Sequence, residues 1–218
     1  MSAAADRLHS IRSDIASAAK LSGRDPGEVT LIAVSKTRTA EAIEDLIAAG
    51  QRDFGESRVQ EALARWPPIL ARHPDIILHC VGRLQSNKGA EAVRLFDVIH
   101  SLDRLSLLEA LAREADKQGR QPSVYVQVNI GDEAQKGGCA IGAVGELVAA
   151  VRTSPLPLAG LMAIPPQGVE PAPFFALLAE LARRHDVAGL SMGMSADYPA
   201  AVKLGATAVR VGTTLFED

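Results

Sequence analysis

The sequence is short of most features that declare a function by composition. Its two cysteines, Cys80 and Cys139, are far apart and outside any CxxC spacing. That leaves no basis for a disulfide framework and reads as two free thiols of a reducing compartment. Five histidines are too few and too scattered for a metal-ligand cluster. No basic excess exists: the formal net charge is −3, so no general positive field draws in nucleic acid or an anionic membrane. Long apolar runs are missing too, and none approaches a membrane span. The first turns carry Asp6, Arg7, His9, Arg12 and Asp14, which is not the apolar core of a signal peptide. A cytoplasmic location is the expectation. The glycines at 137, 138, 142 and 145 do not fit GxGxxG behind a strand, which removes a dinucleotide site. No linker or low-complexity segment divides the chain, so residues 1–218 are read as one domain. No apolar stripe is left unburied by the pattern, so a monomer is expected.

What is present is an ordinary globular composition, 47% apolar and 22% charged over 218 residues, enough to bury a substantial core. Leu8, Ile11, Ile15, Ala18 and Ala19 recur at helical spacing within 4–21. The run Leu31 to Val34 then reads as a buried strand ending on Lys36. Thr39 caps a helix that closes at Gly50. The alternation continues: strands over 53–56, 76–81, 97–101, 124–128, 158–162, 190–192 and 208–211, with helical stretches between them. Pro67-Pro68 is expected to break the helix after strand two, and Asp103 to cap the helix after strand four. Eight strands alternating with helices predict a single α/β (β/α)8 TIM barrel with an extra N-terminal helix. A doubly wound sheet would have fewer strands and one switch point.

Chemistry in such a barrel sits at the C-terminal strand ends, and there the unusual residues fall. A lysine at the end of a buried strand is costly to desolvate. Desolvation would lower its pKa and make it an amine for imine chemistry; the bland alternative is an ordinary strand-end lysine paired or solvated. His79 ends strand three, Asn129 follows strand five, and Met194 with Ser195 ends strand seven. Arg210, Gly212 and Thr213 end strand eight. Small residues before a helix start leave backbone N–H groups for an anion, and barrels often bind phosphate between the loops after strands seven and eight. Taken singly, Ser195 and Thr213 are helix caps. Taken with Lys36 on the neighbouring strand, they suggest a phosphate site beside an amine. His79 alone reads as a satisfied core or rim histidine, Asn129 as a turn residue or a ligand to a ring hydroxyl, and Lys136 as a solvated loop residue.

These segments resemble one family. AVSKT at 33–37, FGE at 54–56 with VQE at 59–61, HCVGRLQSNK at 79–88, GLMAIPP at 160–166, LSMGMSAD at 190–197 and VRVGTTLF at 209–216 are similar to the single-domain pyridoxal-phosphate-binding proteins of the YggS/PROSC type. The resemblance implies the barrel of alanine racemase's N-terminal domain and a role in vitamin B6 homeostasis. It implies pyridoxal 5′-phosphate held as a Schiff base on Lys36, phosphate held by Ser195, Gly212 and Thr213, and Arg210 facing the pyridine nitrogen. Asn129, His79 and Met194 complete the implied cofactor neighbourhood. Two departures stand out: Ser57-Arg58 where the family has Asn-Tyr, and a chain ending Leu215-Phe216-Glu217-Asp218 without a basic tail. A carrier that hands the cofactor to apo-enzymes is the expected function, with no catalytic residues. An amino-acid racemase-like enzyme is the alternative. It needs a second base across the ring, which racemases bring from a further domain, and the sequence offers only Tyr125 in strand five and Tyr198 in a helix. A Schiff-base aldolase is a third reading of the same lysine.

Overall fold

The computed structural model describes residues 2–216; Met1, Glu217 and Asp218, and with them the end of the departure noted above, lie outside the described residues. Eight parallel strands close in sequence order into a barrel, β1 (Thr30–Val34), β2 (Asp53–Glu56), β3 (Ile77–Cys80), β4 (Val98–Leu102), β5 (Ser123–Val128), β6 (Leu158–Ala163), β7 (Leu190–Met194) and β8 (Ala208–Val211). β8 pairs back onto β1 with Ile32 opposite Arg210 and Ala33 opposite Val211, which brings the ends of strands eight and one together. Parallel strands need helical crossovers. These are α2 (Ala40–Ala48), α3 (Val59–Arg72), α4 (Gly89–Leu95), α5 (Leu105–Gln118), α6 (Val144–Arg152), α7 (Ala172–Arg184) and α8 (Tyr198–Lys203). A last turn, α9 (Thr213–Phe216), follows β8. Among the described residues, no helix is long and apolar enough to cross a membrane.

The additional helix is α1 (Ala3–Leu21). It buries Leu8, Ile11, Ile15, Ala18 and Ala19, the residues its periodicity singles out, and packs against α8, α9 and α2. Polar contacts pin it to the segments around β8. Arg7 Nε donates to the Leu215 carbonyl at 2.9 Å, and Tyr198 Oη donates to Asp14 at 2.8 Å. Just past the helix, Arg24 donates to the carbonyls of Val202 and Ala206. The helix thus braces the side of the barrel from which the β7 and β8 loops rise.

Two local expectations are corrected. Helix α3 runs through Pro67-Pro68 instead of breaking there. Each proline removes one N–H bond to the carbonyl four residues back. Those two carbonyls belong to Leu63 and Ala64, and both prolines are exposed, so the bonds that the prolines remove lie on the solvent side of the helix. Trp66 and Ile69, fully buried on either side of the pair, hold the helix against the barrel. Asp103 does not cap α5; the N-cap is Arg104, without a side-chain cap bond. Asp103 turns instead to Arg104 (2.5 Å) and to the N–H of Gly138 (3.5 Å). Thr39 caps α2 as expected, accepting from the N–H of Ala42 at 3.3 Å. Both cysteines are free and buried.

Candidate functional site

The segments that end β1, β7 and β8 enclose one cavity of about 380 Å³ at the C-terminal face of the barrel. Lys36, Met194, Ser195, Arg210, Gly212 and Thr213 all line it. Six of the eight expected site residues are therefore together. Lys36 needs a correction: it lies two residues past the end of β1 and is exposed, so the chain itself does not desolvate its ammonium. The strand stops at Val34 because the backbone turns there. Ser35 is buried and held, its N–H bonded to the Gly55 carbonyl at 2.9 Å and its hydroxyl donating to Glu56 Oε1 at 2.8 Å. Thr37 then takes φ +63°. That left-handed conformation is an outlier for a β-branched residue and costs about 1–3 kcal/mol. A strained residue directly after the lysine marks the loop as shaped for a task.

Ser195 does not cap its helix. The N-cap of α8 is Asp197, which accepts from the Met194 N–H at 2.6 Å. The Ser195 hydroxyl instead accepts the Gly212 N–H at 3.2 Å, tying the β7 loop to the β8 loop. At residue 193 the chain takes φ +91°, and a Cβ there would come within 2.6 Å of Ala201, so the turn into this loop requires glycine. Gly212 is similarly close-packed: an added Cβ would meet the Val34 carbonyl oxygen at 3.2 Å.

Arg210 enters from the barrel interior and is buried. One of its nitrogens donates to Ser191 Oγ at 2.5 Å and another to the Ala163 carbonyl at 3.1 Å. Burial pulls its pKa down to about 10, opposed by the negative charge of Asp197. Even so it is a cation at neutral pH, and it lies in the same cavity as Lys36.

The other two candidates are elsewhere. His79 does not line the cavity; it is buried inside the barrel between Asp53 and His100. Asn129 closes its own loop, its amide donating to the Glu133 carbonyl and its Oδ1 accepting from the Glu133 N–H. That is the turn role. Lys136 is not simply solvated: Glu133 pairs with it at 2.6 Å, and it donates to the Pro165 carbonyl at 3.3 Å. Ser57, the first residue of the Ser57-Arg58 departure, lines the cavity too, as do residues that pattern reading passed over: Thr37, Arg38, Val81, Ile164 and Ala196. Arg38 also lies over the Phe216 ring at 5.5 Å. Thr37 and Arg38 follow the lysine directly, and that adjacency was the available signal. Val81 and Ile164 reach the site only through barrel closure. Arg58, the second residue of the Ser57-Arg58 departure, points away and pairs with Glu61 at 2.8 Å.

With this geometry in view, the comparisons with known proteins bear on one family. The sequence profile described as "Alanine racemase, N-terminal domain" matches residues 7–218. The chain belongs to that family. Within it, a pyridoxal phosphate homeostasis protein of Pseudomonas aeruginosa is 42% identical, with 99% of this chain and 96% of the relative covered. The protein of the same name from Escherichia coli K12 is 39% identical, covering 97% of this chain and 95% of its own length. Among solved structures, PipY of Synechococcus elongatus with pyridoxal phosphate bound superposes with a TM-score of 0.85 at 40% identity, covering 98% of this chain and all of PipY. These family members carry the name of a homeostasis protein rather than of an enzyme.

Proposed function

We propose that this chain binds pyridoxal 5′-phosphate as a Schiff base on Lys36 and acts as an intracellular carrier and regulator of that cofactor. The observation that supports it is the single cavity shared by Lys36, the Ser195–Gly212–Thr213 junction and Arg210. The cofactor supplies an aldehyde and a phosphate. The residues fit both. An exposed amine shares the cavity with two hydroxyls and a close-packed Gly212, and with Arg38 and Arg210. The Ser195–Gly212 bond holds the two halves of the phosphate cradle at one spacing. Arg210, a donor-only group, is suited to the acceptor nitrogen of an unprotonated pyridine ring, which is a weak electron sink.

A carrier needs no second base, and the described tyrosines offer none. Tyr125 stacks on His100 inside the barrel at 4.4 Å between ring centroids. Tyr198 is spent on Asp14, with burial first and that carboxylate second pushing its phenol up to about 12. Buried free thiols suit a reducing, cytoplasmic setting. In this reading the protein works as a monomer and meets apo-enzymes only transiently.

The test is the visible spectrum of the purified protein with added pyridoxal phosphate, before and after borohydride, with Lys36→Ala alongside. A visible band that reduction abolishes, with the cofactor's mass fixed on the peptide containing Lys36, is the expected result. A wild-type protein that stays colourless would overturn the reading. Robust, Lys36-dependent turnover of alanine or serine would replace the carrier by a racemase-like enzyme.

A further inference from the structure

A chain of polar side chains, buried except at its half-buried Asp53 end, crosses the barrel beneath the cavity. Asp53 Oδ1 lies 3.1 Å from His79 Nε2; His79 Nδ1 lies 3.0 Å from His100 Nε2; His100 Nδ1 lies 2.8 Å from Ser191 Oγ; and Ser191 Oγ lies 2.5 Å from an Arg210 nitrogen. Five strands contribute one residue each: β2, β3, β4, β7 and β8. The two ends open on different faces. Arg210 lines the Lys36 cavity. Asp53 lines a second cavity of about 380 Å³ at the start of β1 and β2, together with Arg12, Thr30 and Gln51.

With both rings neutral, the chemistry of the ends sets the direction of every link. A guanidinium only donates and a carboxylate only accepts. Arg210 therefore donates to Ser191 Oγ, the Ser191 hydroxyl donates to His100 Nδ1, His100 Nε2–H donates to His79 Nδ1, and His79 Nε2–H donates to Asp53. Both rings are then Nε2–H tautomers, and each of the four bonds has one donor and one acceptor. His100 is fully buried, and burial first, then the positive charge that His79 would carry if protonated and that of Arg210, holds its pKa well below the usual histidine value, in keeping with a neutral ring. The other groups facing the chain are Tyr125 against His100, Asp197 near Arg210 and Arg12 in the cavity of Asp53. Hydrogen bonds in such a chain polarise one another in the same sense.

We infer that Asp53, His79, His100 and Ser191 are positioning residues: a barrel-spanning hydrogen-bond relay that orients Arg210 and couples its charge to the opposite face of the barrel. The effect on a bound pyridine nitrogen rests on the cofactor reading above; the relay itself does not. A sequence alone leaves His79 as a strand-end histidine, whereas the structure makes it the second member of a line running from carboxylate to guanidinium.

The experiment has two readouts. Long-range proton–nitrogen NMR reports the tautomers of His79 and His100 with no cofactor present, and the pH midpoint of the visible band reports the pyridoxal phosphate complex. The variant is Asp53→Asn, isosteric and at the rim of its cavity, so folding is retained. Wild type is expected to show Nε2–H tautomers for both rings at neutral pH. Asp53→Asn should mix those tautomers and move the band midpoint by at least about 0.3 units, a two-fold change in the proton equilibrium. A ring found as Nδ1–H, or doubly protonated, at neutral pH overturns the relay. An unmoved midpoint beside altered tautomers overturns the coupling. If wild type gives no band at all, the cofactor reading fails and the relay is read from Arg210 alone. Its guanidinium N–H exchange should then quicken in Ser191→Ala and in Asp53→Asn, and unchanged exchange overturns the relay.

Discussion

Arg65 donates to the backbone carbonyl of Ser35 at 2.8 Å, one residue before Lys36, while the same nitrogen reaches Glu56 Oε1 at 3.1 Å. Trp66 Nε1 donates to that oxygen at 2.8 Å, as does the Ser35 hydroxyl. One buried carboxylate oxygen therefore gathers three donors and fixes the turn from which the lysine rises. Removing it leaves a largely buried guanidinium unpaired, which costs about 3–5 kcal/mol. Glu56→Ala is expected to lose that much stability in urea unfolding and to bind pyridoxal phosphate more weakly, because the Lys36 loop is no longer pinned. Glu56→Gln, which keeps an acceptor, should lose less. A Glu56→Ala protein within about 1 kcal/mol of wild type would show that the cluster is not what holds the loop.

Thr37 is the strained neighbour on the other side of the lysine, at φ +63° with its hydroxyl on the Lys36 carbonyl at 2.6 Å. Glycine adopts that conformation freely. Thr37→Gly should therefore leave stability unchanged or raise it by up to about 1 kcal/mol, the relieved strain being partly offset by unfolded-chain entropy. Cofactor affinity should fall, since the loop is less ordered. Higher affinity in the variant would mean that the strain opposes binding.

Gly82, just past β3, supports the opposite wall. A Cβ there would sit 2.1 Å from the Ser57 carbonyl oxygen, and Ser57 lines the Lys36 cavity. The neighbour is backbone and cannot swing aside. Gly82→Ala should cost about 1–3 kcal/mol, as overpacking does, and should displace Ser57 enough to weaken pyridoxal phosphate binding. Wild-type stability together with wild-type affinity would contradict the close approach.

How much of this was legible beforehand follows from which forces act locally. Short apolar runs between stretches of 3.6-residue period exposed the eight strands, and Thr39 and Gly50 marked helix ends through capping chemistry that acts within a few residues. The strand-end rule for barrels then gathered Lys36, Ser195, Arg210 and Thr213. Pro67-Pro68 misled because Trp66 and Ile69 bury against the barrel and override a local preference. Asp103 misled because its partners, Arg104 and Gly138, are set by the fold rather than by the helix it precedes. His79 could be seen as a strand-end histidine, but its partners Asp53 and His100 lie 26 and 21 residues away, and Ser191 closes the line from across the barrel. No spacing rule on one chain encodes that meeting.

The alkaline limb of stability offers a test of the packing around two of these elements. Cys80 on β3 has its thiol pushed up to about 12 by burial, and the Tyr198 phenol is also raised to about 12. In an unfolded chain the two groups titrate near about 8.5 and about 10. As pH rises, the unfolded state loses these protons first while the folded state keeps them. Between the two sets of values the folded state binds more protons, so stability falls with rising pH. The contribution of Cys80 is complete below about pH 8.5 and that of Tyr198 below about pH 10; both are gone above 12. Urea midpoints measured at pH 8, 9.5 and 11 should therefore decline in wild type. Cys80→Ala should reduce the earlier part of that decline, leaving the share of Cys139, whose thiol burial pushes up to about 11, and Tyr198→Phe should reduce the later part, with the double variant flatter than either. Tyr198→Phe should also cost about 0.5–1.5 kcal/mol at pH 8, the usual net worth of one hydrogen bond, because Asp14 loses its donor. If the double variant declines as steeply as wild type, neither group is held neutral by the fold, and the bracing of α1 against α8 through Tyr198 does not contribute as described.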